Sequence, residues 1–395
     1  MIAIQGGCVV TPYESIIPGT VLIEGDGIIA VGRGDHIPVP AGADIVDVAG
    51  MVVAPGFVDT HVHGRDGVYF GEDEETTARL FRSIASTGVT SLLPTMSPLL
   101  PEQRTPEAIL DWIRVIRRAM LHATEGAEVL GIHMEGPWLS RTDPTRGAQL
   151  AANLRLPSID ELHRMVDVSE GTVRKISLAP ELDGALEVIR EMDRLGIVPC
   201  AAHSTATYEQ TMEAVEAGLS CATHVYNGML PLHHRAPGLL GAVLTCNRID
   251  AELIADGQHV SPVAMQILLR CKGPDRIHLV TDNLPWAGLP DGTYADGQRT
   301  IVKEAQRAFV VGGSLAGSVA SMAACVHIMV SSVGYSLPQA IAMASLNAAR
   351  VIGVENRKGS LEPGKDADLV VLDEAGRVWM TIVRGQTVYR REGPG

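Results

Sequence analysis

Short runs of Val, Ile, Leu and Ala recur through the middle of the chain, and each closes on a polar residue. The runs are "MVVAPGFVDTHVH", "VTSLLPT", "EVLGIHME", "VRKISLAPE", "GIVPCAAH", "LSCATH", "AELIAD" and "IHLVTD". Helix-compatible segments such as "TTARLFRSIASTG" and "GALEVIREMDRLG" lie between most of them. Continuous apolar runs alternating with helices predict parallel strands buried on both faces. Eight such units predict a (β/α)8 barrel, an α/β fold. The flanks follow another pattern. "GGCVVTP", "GTVLIEGDGIIAVG" and "ADIVDVAG" precede the barrel, and "KGSLEPGKDADLVVLDEAGRVWMTIVRGQTVYR" follows it. Both read as short strands joined by turns. They predict a small β-sandwich made of residues 1–54 and 359–395, beside a barrel over 55–358.

In such a barrel the C-terminal strand ends build the active site. Read in order, those ends carry His61 and His63, then Glu135, His203, His224 and Asp282. Side chains alternate across a strand, so His61 and His63 project to one side, toward the barrel axis. Buried polar groups need partners. Neutral imidazole and carboxylate oxygen are donors suited to Zn²⁺ or Fe²⁺. An isolated HxH is a weak signal. At a strand end, with four more ligand-type residues at other strand ends, it predicts a metal centre. His133 and His278 share strand parity with Glu135 and Asp282, so either could support the ligands from behind, but simple packing inside the barrel is the favoured reading. His327, in "MAACVHIMV", reads as a packed core residue, and His36, His122 and His163 as surface residues.

Charge narrows the partners. The formal net charge is −14, which argues against nucleic acid and anionic membrane surfaces. No apolar run approaches the roughly 18 residues of a membrane span. The opening "MIAIQGGCVVTPYE" lacks the marks of an export signal. Six scattered cysteines with no CxxC pair read as reduced thiols of a cytoplasmic protein. An anionic small molecule would need its own local positive site. The loop "HVYNGMLPLHHRAPG" presents His233, His234 and Arg235, and the planar fork of Arg suits phosphate. On composition alone, a solvated loop is an equal reading. The Gly-rich "VVGGSLAGSVASM" reads equally as a tight turn or a ligand loop.

These residues together resemble the N-acetylglucosamine-6-phosphate deacetylases of the amidohydrolase superfamily. The resemblance runs along nearly the whole chain, through "PGFVDTHVHG", "GIHMEGPWLS", "LAPE", "AAHS", "THVYNGMLPLHHRAPG", "ELIADGQHV", "VTDNLPWAGLPDGTY", "GSLAGS" and "KGSLEPGKDADLVVLD". "HMEGPW", "LHHRAPG", "ADGQH" and "GSLAG" are its most specific parts. It implies one divalent metal, Zn or Fe, on Glu135, His203 and His224. Some relatives also hold a second on an HxH pair, with help from the Glu and the strand-eight Asp, while others have lost the pair and work with one. With His61, His63, Glu135 and Asp282 in place, one or two ions per chain are implied here. Asp282 matches the catalytic acid/base. Sugar-phosphate contacts are implied for Ala148, Gln149, Asn227, Gly228, Arg235, His259, Leu315, Ala316 and Gly317. Some relatives carry a histidine where Gln149 stands, and Gln cannot carry a proton charge. The implied partner is a small sugar phosphate, and the implied assembly is a homodimer whose loops complete the neighbour's site. An N-acetylgalactosamine-6-phosphate deacetylase is the near alternative. A cyclic amidohydrolase, with a carboxylated lysine at the mouth of strand four, fits less well, because Lys175 lies at the start of that strand. A non-catalytic scaffold fits least, because the ligand and acid/base positions are intact.

Overall fold

The computed structural model describes residues 1–122, 125–297, 299–313 and 315–392. Eight parallel strands form the barrel wall: β1 (Phe57–Val62), β2 (Val89–Met96), β3 (Ile132–Glu135) and β4 (Val173–Leu178), then β5 (Val198–Ala201), β6 (Cys221–Ala222), β7 (Asp250–Leu253) and β8 (Ile277–Leu279). Each pairs with the next in chain order. The wall closes just past β8, where Val62 bridges Asn283 in parallel. Asp59 secures the seam by accepting from the Thr281 hydroxyl at 2.6 Å and the Thr281 N–H at 3.2 Å.

The helices cover the wall with one apolar stripe each. Ala185–Arg194 buries Ala185, Val188, Ile189 and Met192, the spacing of a single helix face. Glu74–Ala85 starts on Asp73, whose carboxylate accepts from the Thr76 N–H at 2.8 Å. It buries Leu80, Phe81 and Ile84.

Two antiparallel-rich sheets make the sandwich. One has four strands, all from the first 47 residues. The other has six, and joins the chain ends where Val52–Pro55 pairs antiparallel with Leu369–Leu372. Ile4, Val9, Val21, Val53, Leu369 and Trp379 fill the space between them.

Three expectations change. The run Met51–His63 is two strands, not one: Val52–Pro55 enters the sandwich and Phe57–Val62 the barrel. The break falls at Gly56, where a Cβ would lie 2.2 Å from Thr90, so no side chain fits. His327 is exposed, because Met322–Ile328 turns Met322, Ala323, Cys325 and Val326 inward instead. A third sheet, of Gly292–Asp296, Arg299–Glu304 and Arg307–Val310, follows β8. His36 and His163 are exposed, as expected, while the side chain of His122 lies outside the described residues.

Candidate active site

Six ligand-type side chains meet at the barrel mouth. Glu135 is the last residue of β3. Its Oε1 lies 2.8 Å from His224 Nε2 and 3.1 Å from His203 Nε2. Across from these, His61 Nε2 lies 3.8 Å from the same oxygen, and His63 Nε2 lies 3.6 Å from Oε2. Asp282 Oδ1 is 3.0 Å from His63 Nε2 and 3.4 Å from His61 Nε2. Two donor groups therefore share Glu135. One adds His61 and His63, the other His203 and His224.

Strand alternation aims His61 and Glu135, and His63 one residue past β1, but not the other three. His203, His224 and Asp282 lie beyond their strands, with φ of +44°, +30° and +49°. Left-handed backbone is uncommon for such residues and costs about 1–3 kcal/mol each. Neighbouring contacts hold it. Glu181 accepts from the Ser204 hydroxyl at 2.6 Å and the Thr205 N–H at 2.7 Å, fixing the chain after His203. Gly228, at φ +62°, comes so near that a Cβ would lie 2.7 Å from His203 Nδ1. The Asp282 N–H donates to the His61 carbonyl at 2.8 Å.

The outward ring nitrogens set the tautomers. His63 Nδ1 donates to the Thr95 carbonyl at 3.2 Å and His203 Nδ1 to the Thr145 carbonyl at 2.9 Å. His61 Nδ1 faces Glu252 Oε2 at 3.2 Å. Among the described residues His224 Nδ1 has no partner. A proton on Nδ1 leaves a lone pair on Nε2. His61 Nε2 and His63 Nε2 stand only 3.1 Å apart, so two lone pairs face each other beside two carboxylates. This donor chemistry fits a divalent cation.

Charge in the cluster is set by competition between burial and neighbours. Burial pushes the Glu135 carboxyl up, but hydrogen bonds from His203 and His224 outweigh it and hold the group well below the usual range. Burial raises Asp282 too, and His61 and His63 overcome this, leaving it below the usual aspartate range. Burial drives His61 well below an ordinary imidazole despite Asp282 and Glu135. For His259 burial acts downward, but its 2.7 Å contact with Asp256 prevails and raises it.

Above the cluster is a cavity of about 300 Å³, at the small end for ligand pockets. Ala148, Gln149, Asn227, Gly228, His259, Leu315 and Gly317 line it, with His63, Glu135, His203, His224 and Asp282. His61 is fully buried beneath His63. Ala316 is buried behind its turn, donating to the Ala308 carbonyl at 2.9 Å and packing with Leu284 and Trp286. The third sheet thus backs the Leu315–Gly317 turn. Arg235 does not line this cavity. It sits in an exposed loop with its guanidinium 2.7 Å from His234 Nε2.

Some residues here were not anticipated. Ser97 donates to Glu135 Oε2 at 2.7 Å and holds Gln149. Its signal was available, since it keeps the parity of Thr95 at the end of β2. Leu99 and Leu284 also line the cavity, and nothing distinguishes them in sequence from ordinary core leucines. His133 and His278 are fully buried in the barrel, as expected; His133 Nε2 lies 2.8 Å from the Ser177 hydroxyl.

A hydrolytic metal barrel is the class that this fold and donor set define. Residues 52–388 match the model of the Amidohydrolase family. An N-acetylgalactosamine-6-phosphate deacetylase of Escherichia coli O157:H7 is 39% identical, covering 91% of this chain and 92% of its own. An N-acetylglucosamine-6-phosphate deacetylase of Bos taurus is also 39% identical, covering 88% and 85%. The crystal structure of the N-acetyl-D-glucosamine-6-phosphate deacetylase of Mycobacterium smegmatis superposes with a TM-score of 0.89 at 34% identity, covering 98% of this chain and 100% of that one. The chain belongs to the amidohydrolase family, within its N-acetylglucosamine-6-phosphate deacetylase branch.

Proposed function

We propose that this protein hydrolyses the acetamide of N-acetyl-D-glucosamine 6-phosphate, releasing acetate and D-glucosamine 6-phosphate. One observation carries the reading: the Asp282 carboxylate and members of both metal-donor groups line the same small cavity. Glu135, His203 and His224 would hold one divalent ion, and His61 and His63, with Glu135 and Asp282, a second. Zn²⁺ and Fe²⁺ suit these donors. When bound, such an ion lowers the pKa of water toward roughly 7 and polarises the acetyl carbonyl.

The chain supplies the remaining chemistry. Asp282 takes the proton of the attacking water and delivers it to the amine leaving group. As an aspartate it is ionised at neutral pH and able to accept. Gln149 offers an amide N–H to the acetyl carbonyl, where a histidine would offer a charged donor. Ala148, Asn227, Gly228 and the Leu315-Ala316-Gly317 turn hold the sugar phosphate, and His259 donates to it. No Arg or Lys is among the described residues that line the cavity. Arg235, beside the exposed Leu230 and Leu232, supplies this charge to the second copy in a homodimer. The cytoplasm is the proposed location, and no described helix is long and apolar enough to cross a membrane.

Acetate release from a panel of N-acetyl sugars, with and without a 6-phosphate, tests the function. Turnover that strongly favours the phosphorylated sugars supports it, and a panel without turnover rejects it. N-acetylgalactosamine 6-phosphate is the second reading, favoured by the 39% identity to the Escherichia coli relative. Comparing kcat/KM for the two sugar phosphates decides between them.

Two further outcomes are expected. A hydrogen bond to a charged group contributes about 1.5–3 kcal/mol, so Arg235→Ala should lower kcat/KM for the phosphorylated sugar by about one to two decades. The poor rate on the unphosphorylated sugar should barely change. Equal loss on both sugars would mean that Arg235 only supports its loop. The second outcome concerns His259, which Asp256 keeps protonated to higher pH than an ordinary imidazole. KM should rise as pH climbs above the ordinary imidazole range and the charged donor is lost. Asp256→Asn removes the raising influence, so the rise should begin at lower pH. An unshifted KM profile would exclude His259 as the charged contact.

A further inference from the structure

Below the mouth the barrel encloses an ion pair that the proposed reaction does not use. Lys175 of β4 and Glu252 of β7 are both fully buried, and the ammonium meets Glu252 Oε1. Lys175 Nζ also donates to the Thr60 carbonyl at 3.3 Å. Glu252 Oε2 lies 3.2 Å from His61 Nδ1 and accepts from the His224 backbone N–H at 3.3 Å. Removing two charges from water costs several kcal/mol per ion, and apolar residues of similar volume are often as stable or better. Stability alone therefore explains the pair poorly. Its position is more telling. Of the four histidines aimed at the mouth, only His61 has a carboxylate behind it among the described residues. His63 and His203 have carbonyls, and His224 has neither.

We propose that the Lys175–Glu252 pair positions His61: Glu252 accepts the Nδ1–H, fixing the tautomer and ring plane that present Nε2 to an ion shared with His63. Lys175 balances the carboxylate's charge and pins it in place. A carboxylate behind a ligand imidazole also strengthens its donor nitrogen, and such partners are worth about 10–100-fold in metal affinity. Cys221, Glu252 and His278 form another group with ligand spacing. There the Lys175 ammonium already supplies the positive charge. The inference rests on the metal reading above and assigns control of one side of that centre.

Zn²⁺ titration of the metal-free full chain against a chromophoric chelator, with elemental analysis, tests it. His61→Ala identifies the affinity class that depends on the His61 side. The double variant Lys175→Met/Glu252→Leu removes the pair without stranding a charge, and should weaken that class by about 10–100-fold. The class that depends on His203 should weaken far less, because Glu252 touches that side only through the His224 backbone N–H. Lys175→Met/Glu252→Gln restores a neutral acceptor and should recover most of the lost affinity. Glu252→Leu and Glu252→Gln repeat the comparison with Lys175 in place, should a double variant not fold. The proposal is overturned if the Leu and Gln variants bind alike, or if both classes weaken together. It is also overturned if the unmodified chain has no His61-dependent class, which leaves a one-ion centre standing. An unmodified chain that binds no Zn²⁺ rejects the metal reading itself.

Discussion

Asp282→Asn is expected to lower kcat for N-acetylglucosamine 6-phosphate by about 10²–10⁴-fold, the range for a positioned acid/base group. The change keeps the side-chain shape and removes the atom that accepts the proton. An aspartate is ionised at neutral pH and so can accept a proton, and Asp282 Oδ1 stands at the His61 and His63 side of the cluster. It also borders the cavity, within reach of a bound substrate. Substrate binding should survive, because the asparagine side chain fills the same volume and the sugar contacts lie elsewhere. Three measurements separate the possibilities: kcat, substrate Kd, and metal content of the variant. Metal content is included because Asp282 Oδ1 lies 3.0 Å from His63 Nε2. A large drop in kcat with intact binding and metal assigns proton transfer to Asp282. Near-normal turnover would show that another group moves the proton.

Removing metal should abolish acetate release, and adding back Zn²⁺ or Fe²⁺ should restore it. The expectation follows from the donor geometry. Four imidazole Nε2 atoms and two carboxylates gather at the mouth, and no described Lys or Arg lines the cavity to balance them. Elemental analysis should return one to two equivalents per chain. His224→Ala should lose more activity than a change on an exposed histidine such as His36, whose ring is remote from the cluster. The decisive observation is activity after verified metal removal. Full activity in that state would discard the mechanism, whatever the fold.

Much of the architecture was legible because parallel barrel strands are apolar on both faces. A polar residue at the end of such a run stands out, which is why Glu135, His203, His224 and Asp282 were found without coordinates. The third sheet was missed because its short strands, such as Arg299–Glu304, mix polar and apolar residues without a buried run. His327 was misjudged because its apolar neighbours hide the face that the helix turns to solvent. Lys175 was correctly placed near the start of its strand, but that position says nothing about how far its long side chain reaches inside a closed wall.

The sequence by itself determined which residues carry the chemistry and the order in which the strands present them, because strand burial and strand ends leave a local pattern. Tertiary structure decided which of them meet. The left-handed turns at His203, His224 and Asp282 aim those side chains where strand alternation does not. Barrel closure at Val62 and Asn283 brings Asp282 to His61 and His63, which lie more than half the chain away in sequence. The same closure sets Lys175 against Glu252 and Glu252 behind His61. Contacts across a barrel depend on the register of strands far apart in sequence, and no local pattern encodes that register.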